Sequence, residues 1–393
     1  LSTHTKGVNA RVQASVLSLY DSARMQGPAK EGELTTWGVV DAEIEEKLNK
    51  IRTDGGKVRV LTPSLVSPST KKAIDDFNAS FSTTDEETGE VVSNGSHIVY
   101  DAVSYSAIRK ANGRSFGEEI VPTYHFDKAK VIVSVGADFI SSWLSPIDFT
   151  RQYTLGRKPG KDMSKHIQFE SNMSLTGSNA DERYGVKPSQ YGAVLSAIYN
   201  QIAKLVGASP LKRVSISGEL AEKVNAAANH LLKNKGKSIV VVGTNDVEHQ
   251  ELANGINSLL GNYGSTLDLG SPMLSVQSDD DAVNELLNEM TSGSVHALIL
   301  YGVNPCYTMP GDDGFTAAMN KVDLKISFSD RIDESAKLSN YVCPDNNYLE
   351  SWGDANPIAG FYSLQQPTIK PLFNTRQAQE SLLKWSGSSV NYR

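Results

Sequence analysis

Cysteine is nearly missing from this chain: Cys306 and Cys343 are the only two among 393 residues. They form no C-x-x-C pair, so the segment has no thiolate set of its own for an iron-sulfur cluster or a structural zinc. Cys343 lies in an apolar stretch and reads as core, which leaves Cys306, just after a turn, as the one candidate thiol for binding or reaction. Long apolar runs are missing too. No window approaches the ~18 uninterrupted apolar residues of a membrane-spanning helix. Leu1-Ser2-Thr3-His4 has neither the basic start nor the apolar core of a secretory leader. The first residue is not methionine, so a processed chain or a fragment is expected. Positive charge is in deficit: 38 basic against 45 acidic residues give a net charge of −7, which removes the electrostatic footing for a nucleic-acid role. Gly243-Thr244-Asn245 lacks the G-x-G-x-x-G cradle of a nicotinamide site, and no G-x-S-x-G nucleophile turn occurs. Asp279-Asp280-Asp281 has no EF-hand pattern around it, and these carboxylates read as the amino end of a helix. No repeat of solenoid period is present.

What is present is a chain of 39% apolar and 21% charged residues, the composition of a globular protein with a sizeable core. Its length suggests two or three domains. Short apolar runs closed by glycine or proline recur: Lys57 to Thr62, Phe126 to Gly136, Ser238 to Gly243, Val295 to Tyr301, Leu324 to Phe328 and Tyr341 to Pro344. Each reads as a buried parallel strand. Helical spacing follows or precedes them from Trp37, from Ser67-Pro68, over Ala193 to Leu205, within Pro210 to Lys235, and over His249 to Leu260. His166 to Asn172 alternates, with Ile167 and Phe169 inward. Trp143 to Lys165 reads as a long loop, Gly261 to Pro272 as a glycine-rich turn, and Ser82 to Ser96 as a surface loop or crossover. The fold class that follows is α/β, with two Rossmann-like units.

The stretch from Ser294 to Asp354 organises the rest. Gly302-Val303-Asn304-Pro305 turns at the carboxyl end of one strand, and Asp330 to Ala336 at the end of the next. Ligands of open α/β sheets bind at such ends. Asp330, Asp333 and Glu334 gather three acids in one loop, either as acid-base partners or, the preferred reading, as a helix cap and loop braces. Glu350, Trp352 and Asp354 put an aromatic between two acids, a candidate docking edge.

The order GVNP, Lys321-Val322-Asp323, D-x-x-x-E-S-A, V-x-P and E-x-x-G resembles the central signature of the molybdopterin oxidoreductase family. Tyr348 to Asp354 followed by Phe361 to Gln377 is similar, more particularly, to the large iron-sulfur subunit of alternative complex III. Lys6-Gly7, Leu19-Tyr20, Arg24, Pro28 and Trp37 resemble the end of the family's iron-sulfur domain. The resemblance implies a discontinuous Rossmann-like unit over 38–91 and 236–365. It implies a second such unit inserted at 92–235, a remnant of the iron-sulfur domain over 1–37, and an exit segment at 366–393.

Departures from the family pattern are equally informative. The last cluster cysteine falls on His4. Asp138 stands where family members carry a polar amide; it would repel a pyrophosphate, or cap the next helix. Ser189-Gln190-Tyr191 replaces the aspartate turn that helps hold the pterin nucleotide. The family's metal ligand would fall on Ser104 or Ser106, both also ordinary helix-start residues. Arg151, Arg157, Lys158, Lys161 and Lys165 form a basic run, either for phosphates or as a solvated face. The family's carboxyl-terminal pterin-binding barrel would lie past Arg393. The resemblance therefore implies a non-catalytic domain with no catalytic, cofactor or metal residues of its own and with molybdopterin absent. Iron-sulfur clusters are expected in a neighbouring domain. The expected partners are the other subunits of a membrane-bound respiratory complex, on the periplasmic face of the bacterial inner membrane. The alternative is an active molybdopterin-dependent oxidoreductase with a serine ligand.

Overall fold

The computed structural model describes residues 7–84, 89, 91–212, 216–309, 311, 314–390 and 392. The chain divides into two compact units: a middle unit built on 105–276, and a flanking unit built on 14–104, 277–357 and 361–393.

In the flanking unit, five parallel strands run in the order Tyr341–Val342, Leu324–Ser327, Val295–Leu300, Lys57–Thr62, Gly95–Val99. Ala29–Lys30 and Glu33–Leu34 extend the sheet antiparallel beyond Tyr341–Val342. Alternation along Val295–Leu300 sends Ala297 and Ile299 to one face and Leu298 and Leu300 to the other. The first face meets the helices Trp37–Thr53, Pro68–Ala79 and Ala378–Trp385 through Ile44, Phe77 and Trp385. The second meets Asp280–Thr291 and Phe315–Met319 through Leu286 and Phe315. A sheet covered on both faces explains why these strands read as continuous apolar runs.

The helix starts are chemical. Thr36, Ser67 and Asp279 each accept a backbone N–H at a helix amino end, and Pro68 occupies the first turn. Asp279 thus has the capping role expected of the acidic triplet.

The middle unit carries a parallel sheet in the order Glu182–Gly185, Lys165–Glu170, Val131–Val135, Ser238–Val242. Helices Tyr191–Val206, Gly218–Lys233 and Val247–Leu259 bury Ile198, Leu231 and Ile256 against one face. An aromatic cluster fills the other, with Phe126 stacked on Phe139 at 4.4 Å and Tyr124 edge-on to Trp143 at 5.0 Å.

Several segment expectations differ from this arrangement. Ser238–Val242 pairs with Val131–Val135, so it lies in the middle unit and not in a flanking segment starting at 236. Gly95–Val99 pairs with Lys57–Thr62, so 92–104 lies in the flanking unit. Residues 366–393 are more than an exit. Asp41 accepts both Nη1 and Nη2 of Arg376 at 2.9 and 2.7 Å and Nε1 of Trp385 at 3.0 Å, fixing the last helix on the core. Residues 14–37 belong to the flanking unit, where Ala29 pairs with Val342.

The expected loop at 143–165 contains the helix Pro146–Gly156, which buries Phe149 and Tyr153; its proline start and 3.6-residue period were masked by the polar residues around them. The expected turn at 261–272 overlaps the strand Leu267–Met273, which the period-2 signal missed because Gly270 interrupts it. His166, Gln168 and Glu170 are as buried as Ile167 and Phe169, so the strand Lys165–Glu170 has no solvent face.

Candidate functional site

Both units present the carboxyl ends of parallel strands. In the flanking unit the turn after Leu300 begins at Gly302, whose φ of +69° is accessible without strain only to glycine. Asn304, two residues on, joins two loops. Its Oδ1 accepts the backbone N–H and the hydroxyl of Ser335 at 3.1 and 2.7 Å, and its Nδ2 donates to Glu334 at 2.6 Å. Ser335 Oγ in turn accepts the Cys306 N–H at 3.1 Å. The two motif blocks GVNP and D-x-x-x-E-S-A are therefore the halves of one clamp.

Two of the three acids of the second loop, Asp330 and Asp333, are engaged within it. Asp333 caps the short helix Glu334–Lys337 by accepting the Ala336 N–H at 2.8 Å, and accepts the Ser329 hydroxyl at 2.9 Å. Asp330 pairs with Arg331, which also reaches Asp21, each at 2.9 Å. Geometry thus places Asp330, Asp333 and Glu334 as brace, cap and clamp.

The third strand end supplies what the motifs did not announce. Asp345, just past Tyr341–Val342, accepts the N–H groups of Asn346 and Ala378 at 2.8 and 3.0 Å and the hydroxyl of Tyr301. Removal from water pushes its carboxyl up to about 7, against those hydrogen bonds. Two adjoining cavities, of about 450 and 190 Å³, share Tyr301, Asp345, Asn346 and Tyr348 as walls. The polar triplet Asp345-Asn346-Asn347 at a strand's carboxyl end was the available signal. Gln379, from the last helix, carried none.

Glu350, Trp352 and Asp354 do not form one docking edge. Glu350 is buried and accepts from Arg24 at 2.9 Å in a pair with side-chain exposures of 1% and 0%. Burial raises its carboxyl, and Arg24 with the N–H groups of Leu372 and Asn347 outweighs that, leaving it below the usual range. Asp354 accepts the hydroxyls of Ser67 and Ser69. Trp352 alone of the three stays largely open.

The middle unit's strand ends look different. Gly136, φ +68°, follows Val135, and a Cβ there would lie 2.8 Å from the Tyr191 ring. A Cβ on Gly243 would lie 2.1 Å from the Gly136 carbonyl oxygen, so the two turns pack backbone to backbone. Asp138 accepts the Thr176 N–H and hydroxyl at 3.0 and 2.7 Å. It therefore serves a helix 38 residues later and not the next one. Glu170 accepts from Ser174, Arg183 and Gln168.

Within the basic run, Arg157 pairs with Asp181 at 2.7 Å and Lys165 with Glu182 at 2.5 Å, charges spent inside the unit. His166 is fully buried against Tyr153 and Gln168, and burial brings it down to about 4.

The other candidates are placed as follows. Ser106 opens the helix Ser106–Phe116 and is buried, while the Ser104 hydroxyl lies 3.2 Å from that of Ser278. Cys343 is fully buried, which pushes its thiol up and away from thiolate chemistry. Cys306 is half-buried, 3.8 Å from the Met319 sulfur. His4 lies outside the described residues. Among the described residues no group of three or more His, Cys, Asp or Glu is placed to hold a metal, and no helix is long and apolar enough to cross a membrane.

No family model matches the chain. A search of curated proteins finds the menaquinone reductase molybdopterin-binding-like subunit of Nitratidesulfovibrio vulgaris, 22% identical over 425 aligned positions that cover 97% of this chain and 59% of that protein. The chain thus spans under two thirds of its relative's length. Among solved structures, acetylene hydratase from Pelobacter acetylenicus superposes with a TM-score of 0.70 at 12% identity, covering 97% of this chain and 64% of that one. A chain of the formyltransferase/hydrolase complex from Methylorubrum extorquens superposes at 0.59 and 13% identity, over 92% and 98%. What these likenesses establish is the fold: an α/β chain with parallel and mixed sheets, of molybdopterin-oxidoreductase-like architecture.

Proposed function

We propose that this chain is a cofactor-free, molybdopterin-oxidoreductase-like scaffold within a membrane-associated quinone or quinol redox complex. It would sit as a peripheral subunit on the periplasmic face of the bacterial inner membrane, beside an iron-sulfur domain and other subunits. The relative's description as a subunit of a menaquinone reductase supports the quinone connection. The motif resemblance to alternative complex III supports the finer reading of quinol oxidation.

The observation that carries the cofactor-free reading is the chemistry of the flanking unit's strand ends. A molybdopterin nucleotide brings phosphate charge. The cavities there are lined by Asp330, Asp333, Asp345 and Asp354, and the one basic residue among the described lining residues, Arg331, is committed to Asp330 and Asp21. An anion would meet carboxylates with no free cation to offset them. The residues present do not fit the group, and no catalytic step is assigned through it.

Metal and pterin analysis of the protein purified with its complex tests the reading. Substoichiometric molybdenum and tungsten, and no fluorescent pterin after oxidative release, are expected. One metal per chain would favour the active enzyme with Ser104 or Ser106 as ligand.

A further inference from the structure

The edge of the middle unit opposite Gly136 is built from different material. Three adjacent strands, Ser238–Val242, Val131–Val135 and Lys165–Glu170, start there side by side. The Lys130 N–H donates to the Lys237 carbonyl at 2.7 Å, and the Lys165 N–H to the Lys130 carbonyl at 2.8 Å. The helices Pro146–Gly156 and Val247–Leu259 finish at the same edge. The Gly156 carbonyl accepts the Ser164 N–H at 2.9 Å, and the Leu260 carbonyl the Gly236 N–H at 2.8 Å. Helix carboxyl ends favour cations. That accounts for Lys233, in the last turn of Gly218–Lys233, but not for the row of lysines around it. Lys165 is paired with Glu182, Arg157 with Asp181 and Lys130 with Asp162. Lys128, Lys158, Lys161, Lys233, Lys235 and Lys237 are exposed, and none forms an ion pair with a carboxylate among the described residues. Asp127 and Asp268, the acids around nearby His125, offset two of the six. The surplus is local. Residues 105–276 carry 19 basic and 15 acidic side chains and the rest of the chain 19 and 30, so a positive unit sits in a chain of net charge −7.

We infer that this edge is the surface by which the chain meets an anionic phospholipid bilayer. The inference rests on the membrane association proposed above and adds which face makes the contact. Two observations favour a lipid surface over an acidic protein. All six uncommitted cations are lysines, compact point charges, while Arg157 is consumed by its two-pronged pair with Asp181. Protein–protein interfaces are enriched in arginine and depleted in lysine. The second observation is apolar. Leu155 and Met163 stand 48% and 40% exposed, on either side of Lys158 and Lys161 in the sequence. Lysines interleaved with exposed apolar side chains suit the headgroup boundary of a bilayer. Phosphates there meet the ammonium groups, and the upper acyl chains take the apolar ones.

The test is co-sedimentation of the full chain with vesicles of mixed phosphatidylglycerol and phosphatidylcholine, beside vesicles of phosphatidylcholine alone. Binding to the anionic vesicles at low salt is expected, with none to the neutral ones. It should vanish at about 1 M sodium chloride, where the screening length shrinks to about 3 Å. Lys158→Gln together with Lys161→Gln should weaken partitioning more than about tenfold, since each lysine near such a surface is worth about fivefold. Leu155→Ser together with Met163→Ser should weaken it several-fold. The same loss of charge at exposed lysines of the flanking unit, Lys50→Gln with Lys370→Gln, should leave it unchanged. Equal binding to neutral vesicles, no binding to either kind, equal loss in the flanking-unit control, or full binding by either middle-unit pair would each overturn the inference. So would capture by soluble polyglutamate without vesicle binding, which would assign the edge to an acidic protein. If a variant fails to fold, the lipid and salt dependence of the natural sequence decide. Vesicle binding is read separately from metal and pterin. Its failure leaves a cofactor-free scaffold whose membrane link comes from other subunits, and a molybdenum-loaded chain would leave the vesicle result standing.

Discussion

The middle and flanking units solve the same problem in opposite ways. Each ends a central parallel strand on a glycine in the left-handed region, Gly136 and Gly302, where such sheets hold ligands. In the middle unit that edge is closed. Gly243 leaves no room beside the Gly136 carbonyl, Tyr191 covers the turn, and Asp138 and Glu170 are consumed by hydrogen bonds within the unit. In the flanking unit the clamp at Asn304 ties two loops to each other, and cavities lined by Asp345 remain open at the strand ends. A strand-end glycine therefore says where a site would be. The polar groups behind it decide whether one is left.

The contrast can be broken experimentally, most severely at the buried pair that secures the flanking unit. Arg24→Ala leaves Glu350 as a buried, unpaired carboxylate and should lower stability by about 3–5 kcal/mol in urea unfolding. Arg183→Ala in the middle unit, where the arginine side chain is 30% exposed, should lower it much less. Gly243→Ala tests the closure itself. The obstacle is main-chain oxygen, which cannot swing away, so a loss of about 3 kcal/mol is expected.

Asp345→Asn tests the opening through pH. The folded carboxyl keeps a proton that the unfolded chain releases from about pH 4 upward, so the natural protein loses stability as pH rises from there to about 7. The asparagine variant has no such slope and should gain about 2 kcal/mol on the natural protein at pH 8, with little difference at pH 4. Asp333→Ala removes a cap from the clamped loop and should cost about 1 kcal/mol, read as a lowered thermal midpoint. Leu364→Ser, at a side chain 92% exposed, should change stability by less than about 0.5 kcal/mol. A larger loss would mean that the strand Phe361–Gln365, on which it lies, contributes to the stability of the flanking unit.

Much of the α/β architecture was legible because buried parallel strands are apolar throughout and stop at glycine or proline. Lys57–Thr62 and Ser238–Val242 are of this kind. Which sheet a strand joins was not legible. Ser238–Val242 looks the same whether it pairs with Val131–Val135 or with Lys57–Thr62, since register depends on partners distant in sequence. Polar disguise hid Pro146–Gly156, and one glycine hid Leu267–Met273. At the site, the Asn304 and Glu334-Ser335 positions announced themselves by motif. Asp345 could have been found from its place after Pro344. The link from Tyr301 to Gln379 spans 78 residues and obeys no local pattern, so only the folded chain reveals it.

The clamp at Asn304 has a wider implication. The letters that make this chain look like a redox enzyme are, in three dimensions, a joint: an amide that ties one loop to the cap of another. A joint of this kind serves the shape of the unit, whatever chemistry the unit does or does not carry. Those letters therefore report a tie between two loops, and what the neighbouring hollow can hold is read from the residues that line it.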